Sequence, residues 1–304
     1  MSYDEFNELV RSKLSEICGN EFSVTVYEAV KNNSVSHKGV SIKENTGSIA
    51  PTIYLEEFYT DYCDGRDIED IINEILRIYS ENRLGPGVEA ERFSDFEWVK
   101  DRIFYKVINK ERNMALLGQV PFSLTLDLAV VCGVYMGNYK NSFSSVLIKN
   151  EHLKMWNTDE SEIRKLAKTN TPLLMPYEVW SMQDLLKSMG VSHMDCSSEV
   201  PMYVLTNKDR INGAGVMLYD GLLRKEAENL GSDLYILPSS IHELIIVPKC
   251  EGMDPGQLLT MISEVNDTQV ETEEILSYSL YEYSSDKDSI CIAGSRDLKK
   301  VASA

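Results

Sequence analysis

Residues 233–248 constrain this chain more than any other stretch: Asp-Leu-Tyr-Ile-Leu-Pro-Ser-Ser-Ile-His-Glu-Leu-Ile-Ile-Val-Pro. Two apolar, β-branched runs, each closed by a proline, flank a polar insert of Ser239, Ser240, His242 and Glu243. Proline cannot donate to a strand ladder, so each run reads as a buried strand with a defined end. The insert is the place where a serine, a histidine and a carboxylate crowd together. It is therefore the first place to test for chemistry.

Ser239, Ser240, His242 and Glu243 are the candidate catalytic residues of a hydrolase. On one extended strand, Ser240 and His242 would share a face roughly 6.6 Å apart. A serine–histidine hydrogen bond needs about 2.6–3.2 Å, and Glu243 would point to the opposite face. A local triad requires a sharp bend at Pro238, or a partner from elsewhere in the chain. No Gly-x-Ser-x-Gly elbow is present. The plainer expectation is a hairpin apex, in which the serines satisfy turn backbone and His242 and Glu243 form a polar pair. Between these stands a ligand-binding site, in which Asn207, Ser239, Ser240 and His242 supply hydrogen bonds.

The rest of the chain reads as an α+β protein with largely antiparallel sheets and helices packed on one face. Three regions are expected: 1–84, 92–190 and 200–304. In the first, Ser2 and Glu5 form a capping-box pattern before Phe6, Leu9, Val10, Leu14 and Ile17 at helical spacing, with Gly19 as a stop. A hairpin over 22–43, a third strand from Pro51 and a helix over 67–83 capped by Asp67 follow, then a linker at 84–91. In the middle region, 124–136 and 144–149 read as strands, and Thr158 and Ser181 as caps of two helices. In the last region, strands at 202–205 and 216–219, a helix ended by Gly231, the two strands of 233–248 and a helix from Asp254-Pro255 make a ββαββα order. Residues 271–283 are ambiguous between helix and strand, and 290–293 could close the sheet.

The string Leu237-Pro-Ser-Ser-Ile-His-Glu, with Tyr203-Val-Leu-Thr-Asn, Gly213-Ala-Gly and Glu264-Val-Asn, resembles a family of uncharacterised proteins from Firmicutes, many of them gut bacteria. The resemblance covers most of the chain and is most specific over 200–270. It implies a bacterial, cytosolic protein, and it carries no activity to transfer.

Several function classes are disfavoured. The net charge of −18 is spread along the chain, and no cluster of Lys and Arg exists for phosphate neutralisation. Direct nucleic-acid binding is not expected; an acidic surface that mimics nucleic acid and blocks an enzyme is an alternative. The aromatic residues, Trp98, Trp156 and Trp180 among them, have no basic interleaving of the kind that stacks single strands. The N-terminus is acidic and carries no apolar run of a leader, and no segment approaches about 20 apolar residues, so no membrane association is expected. Cysteines 18, 63, 132, 196, 250 and 291 are far apart, as for free thiols in a reducing cytoplasm.

No metal or cofactor is expected. His242-Glu243 begins like a zincin helix, but Ile246 stands where the second histidine belongs. His193-Met-Asp-Cys196 has no second cluster to complete it, and Asp286-Lys-Asp288 lacks the glycine and glutamate of a calcium loop. Gly213-Ala-Gly215 lacks the third glycine of a dinucleotide loop, and no phosphate-binding Gly-x-x-x-x-Gly-Lys sequence is present. The preferred expectation is a non-enzymatic protein-interaction or ligand-binding protein.

Overall fold

The computed structural model describes residues 1–45, 52–82, 92–139, 142–188 and 201–295. The expected linker at 84–91 and the His193–Cys196 group lie outside them. The chain divides into two compact units, residues 1–99 and 100–304.

The first unit opens with α1 (Tyr3–Cys18), whose capping box is formed: the Ser2 hydroxyl accepts from the Glu5 N–H and the Glu5 carboxylate from the Ser2 N–H. Gly19 ends the helix at φ 70°, a conformation glycine adopts without a Cβ penalty. β1 (Phe22–Val30) and β2 (Ser36–Glu44) pair antiparallel from Phe22 opposite Glu44 to Val30 opposite Ser36, and β3 (Thr52–Tyr54) pairs with β2. A helix the sequence pattern did not signal, α2 (Glu56–Cys63), precedes α3 (Ile68–Asn82). Ile71, Ile72 and Ile75 of α3 are fully buried with Phe6, Val10 and Leu14 of α1 against Val40 and Ile42 of β2. The short α4 (Phe96–Val99) closes this unit.

The second unit holds two antiparallel sheets. The first is built on β4 (Ile103–Asn109), β5 (Phe122–Thr125), β6 (Leu128–Tyr139) and β7 (Ser142–Leu147); α5 (Met114–Leu117) lies between β4 and β5. β4 runs along one side of β6, while β5 and β7 follow one another along the other. The single strand expected over 124–136 is thus a hairpin, turned at Leu126 with φ 53°. Next come α6 (Asn150–Trp156) and α7 (Glu160–Leu174). The cap of α7 is Asp159 rather than Thr158: its carboxylate accepts from the Glu162 N–H at 2.9 Å.

The six-stranded sheet has the order β13-β12-β10-β11-β9-β8. Its strands are β8 (Tyr177–Ser181), β9 (Tyr203–Asn207), β10 (Leu234–Leu237), β11 (Leu244–Pro248), β12 (Ser279–Ser284) and β13 (Ser289–Ser295). β8 pairs with β9 along its whole length, which carries the end of the expected middle region into the C-terminal sheet. Ser181 ends β8 and leads straight into α8 (Met182–Ser188). Residues 213–218, expected in part as a strand, form a 3-10 helix before α9 (Leu222–Leu230). The order after residue 200 is therefore β-α-β-β-α-β-β, with α10 (Pro255–Thr268) between β11 and β12. Leu258 and Ile262 of α10 pack on the sheet face carrying Tyr235, Leu237 and Val247. Leu234 and Ile236, which alternate to the other face, are fully buried as well. The fold is α+β with largely antiparallel sheets.

Candidate functional site

Residues 238–243 connect β10 to β11, which pair antiparallel from Leu234 opposite Pro248 to Leu237 opposite Ile245. The hairpin expected from the two proline-closed runs is present, but its tip is enclosed. Ser239, Ser240 and Ile241 are all buried. A strap of residues 274–277 runs beside the tip: the Ile241 N–H donates to the Glu274 carbonyl at 2.9 Å, and the Leu276 and Ser277 N–H groups donate to the Ser239 and Pro238 carbonyls at 3.0 and 2.9 Å. On another side, the Ala214 N–H donates to the Ile241 carbonyl at 3.1 Å. Backbone partners of this kind are what a buried loop requires.

The strap is held in turn by Asp127 at the turn between β5 and β6. Its carboxylate accepts from the hydroxyls of Ser277 at 2.6 Å, Ser279 at 2.9 Å and Tyr281. The Asn266 side-chain amide of α10 donates a hydrogen bond to the Ser277 carbonyl at 2.9 Å, and that of Asn109 donates one to the Leu276 carbonyl at 2.9 Å. Burial first, and then the Asp127 carboxylate, push the Tyr281 phenol well above its ordinary value. None of this was legible in the sequence, because Asp127 lies 150 residues or more from each hydroxyl it binds.

His242 belongs to the enclosed side. The Asn212 N–H donates to its Nδ1 at 3.2 Å, and its Nε2 faces Glu274 Oε1 at 3.2 Å. With Nδ1 accepting, the ring proton sits on Nε2 and points at the carboxylate. The Thr206 hydroxyl donates to the His242 carbonyl at 2.7 Å. Ser240 Oγ bonds the histidine through the backbone alone, accepting from the His242 N–H at 3.0 Å. Among the described residues, no hydrogen bond joins either serine hydroxyl to the imidazole. A general base needs a lone pair directed at its nucleophile, and here that lone pair is occupied by Asn212. The arrangement lacks the serine–histidine contact of a hydrolase.

Asn207 is also committed to the loop. Its side-chain amide donates to the Ile211 carbonyl at 2.8 Å and its carbonyl accepts from the Ile211 N–H at 3.3 Å, clasping 207–211 into a closed turn. Gly213 is required by close approach: a Cβ there would lie 2.2 Å from Thr206 Oγ1 and 2.3 Å from the His242 carbonyl. The sequence landmarks at 203–207, 213–215, 237–243 and 264–266 therefore meet in one assembly around the tip. Among the described residues, no group of three or more His, Cys, Asp or Glu side chains gathers to hold a metal ion. No described helix is long and apolar enough to cross a membrane.

A pocket of about 220 Å³ lies on the other side of the same loop. Val204 of β9, Leu237 of β10, Ile245 of β11, Met182 and Leu185 of α8, Val265 of α10 and Val270 wall it. Ser239 and Ser240 line it as well, together with Thr206, Trp180, Arg210 and Glu243. The Arg210 guanidinium lies over the Trp180 ring at 5.6 Å from its centroid. Of the four ligand-binding candidates read from the sequence, the structure brings Ser239 and Ser240 to the pocket and spends Asn207 and His242 on its framework. Glu243, a catalytic candidate, also reaches the pocket. Trp180 and Arg210 were missed. Trp180 read as one scattered aromatic and Arg210 as part of a solvated turn, because the two are thirty positions apart and no local pattern joins them.

Compared with known families, the chain matches the model of a family of unknown function, DUF5688, over residues 3–285. The chain belongs to that family. No curated protein and no solved structure matches it.

Proposed function

We propose that this chain is a non-enzymatic binding protein whose ligand is a small amphipathic molecule held in the pocket beside residues 239–243. One observation carries the reading. A concave, apolar-walled site is lined by a few polar residues, Arg210, Glu243 and Ser239 among them, and this is the usual composition of a small-molecule site. The adjacent imidazole, which a hydrolase would need, is engaged on both ring nitrogens. A dry cavity of roughly 150 Å³ holds a benzene molecule, so the volume here suits a ligand of about ten non-hydrogen atoms.

A reducing bacterial cytoplasm is the setting that fits the thiols. Cys18, Cys63, Cys132, Cys250 and Cys291 are free, with three of them exposed, and exposed thiols persist where glutathione keeps them reduced.

The reading is tested by titrating the full chain with small amphipathic fragments in a calorimeter, beside a variant with the pocket filled, Val265→Phe. Saturable binding that the filled variant loses is the expected result. No fragment bound, or binding indifferent to the filling, would contradict it.

A further inference from the structure

We propose that the ligand of this pocket is an α-amino acid with an apolar side chain, bound as its zwitterion; this rests on the reading of the pocket as a ligand site. The pocket presents one cation and one anion, and each lacks an opposite charge of its own. Arg210 and Glu243 both line it, yet among the described residues no carboxylate lies within 4.0 Å of the guanidinium and no cation within 4.0 Å of the Glu243 carboxylate. Other cations of this unit have carboxylate partners: Lys249 pairs with Glu282 at 2.6 Å and Arg224 with Asp288 at 2.5 Å. In a chain of net charge −18 an arginine without a carboxylate partner is the less expected of the two.

The positions of both charges are set by the backbone. Arg210 sits at φ 53°, a left-handed conformation that disfavours any side chain with a Cβ. Asn207 clasps the turn on one side of it, and the Asn212 N–H is tied to His242 on the other. Trp180 supports the guanidinium from below. Glu243 immediately precedes β11 and is anchored by Leu244, which is fully buried opposite Leu205. The backbone conformation at 210 carries a cost that a glycine would remove, so the guanidinium is what an arginine contributes there.

The chemistry of the ligand follows by elimination among charge types. An apolar acid would meet Arg210 and be repelled by Glu243, and an apolar amine would meet the reverse. A neutral hydrocarbon would use the walls alone and draw nothing from either charge, both of which are solvent-exposed in the free chain. A zwitterion answers both, with its carboxylate on the arginine fork, its ammonium on Glu243, and its side chain against Val204, Leu237 and Ile245. The Ser239 hydroxyl, which makes no hydrogen bond among the described residues, can donate to the same carboxylate. Leucine and phenylalanine are of the size the cavity accepts.

Calorimetry on the full chain tests this with L-leucine and L-phenylalanine, each against its amide and its N-acetyl derivative. We expect saturable binding of at least one free amino acid, and binding at least tenfold weaker for both derivatives. Arg210→Gly should erase the preference for the acid over the amide, and Glu243→Gln the preference for the free amine over the N-acetyl form. Glycine suits φ 53°, so the first variant keeps the fold, which a thermal melt verifies. An N-acetyl amino acid bound as tightly as the free one would overturn the proposal. So would an apolar acid bound in a Val265→Phe-sensitive manner with no amino acid bound; in both cases the pocket remains a ligand site. No binding by any of these probes or by apolar fragments would overturn both readings.

Discussion

His242 and Glu243 are neighbours in the chain and opposites in environment. His242 turns into the framework, where Asn212, Glu274, Thr206 and the Ser240 hydroxyl occupy its ring and backbone. Glu243 turns into an open pocket where no cation meets it among the described residues. The two lie in the bend between β10 and β11, and the enclosure of the tip decides which side is closed. A serine, histidine and carboxylate crowded in sequence are thus divided between architecture and a binding surface. Residue type alone did not show the division; the partners did.

This contrast can be broken or sharpened by substitution, and the largest effect belongs to the closed side. Asp127→Ala removes one acceptor from three hydroxyls, including that of Tyr281, which is fully buried. Hydrogen bonds to a charged group contribute about 1.5–3 kcal/mol each and do not add fully, so we expect a loss of about 4 kcal/mol in denaturant unfolding. A loss below about 1 kcal/mol would show that the strap does not need its clamp. Gly213→Ala comes next. Its Cβ would press on backbone as well as on Thr206, and the expected cost is about 2–3 kcal/mol. His242→Ala leaves the Asn212 N–H without its ring acceptor and should cost about 1–2 kcal/mol.

The open side should behave otherwise. Arg210→Gly relieves a left-handed backbone and is expected to leave stability unchanged or raise it by about 1 kcal/mol, while the preference for the free acid over its amide is lost. The smallest effect concerns acid. The Ser285 N–H donates to the Asp233 carboxylate at 2.8 Å and holds its pKa below the ordinary value. A folded pKa below the unfolded one contributes stability that is present above the unfolded value and lost as pH falls through the folded one. Asp233→Asn should therefore lower stability slightly at neutral pH, leave it unchanged at low pH, and so flatten the acid limb of the stability–pH profile. An unchanged acid limb would argue against the Ser285 bond.

The elements carried by a clear local signal were legible in the sequence. The Ser2–Glu5 capping box, the isoleucine stripe of α3, the proline-closed strands β10 and β11 and the Asp254 cap of α10 all stand where the pattern puts them. Residues 216–219 were misread as a strand because a four-residue apolar run has no usable period, and Gly213 and Gly215 serve close packing there rather than a turn to a new strand. Gly215 lies against Tyr105, with a would-be Cβ 3.4 Å from its ring. Leu126 turned one expected strand into two through a positive φ that no residue type announced. The pocket was illegible for a different reason. Its charges, Arg210 and Glu243, and its aromatic, Trp180, come from three separate segments that only the sheet order β11-β9-β8 brings side by side.

The most direct measurement is an amide and indole nuclear magnetic resonance titration of the full chain with L-phenylalanine. The account predicts saturable shifts of the Trp180 indole N–H and the Glu243 amide, with the His242 ring signals unmoved. Shifts centred on the His242 ring and Ser240, with Trp180 and Glu243 silent, would contradict it.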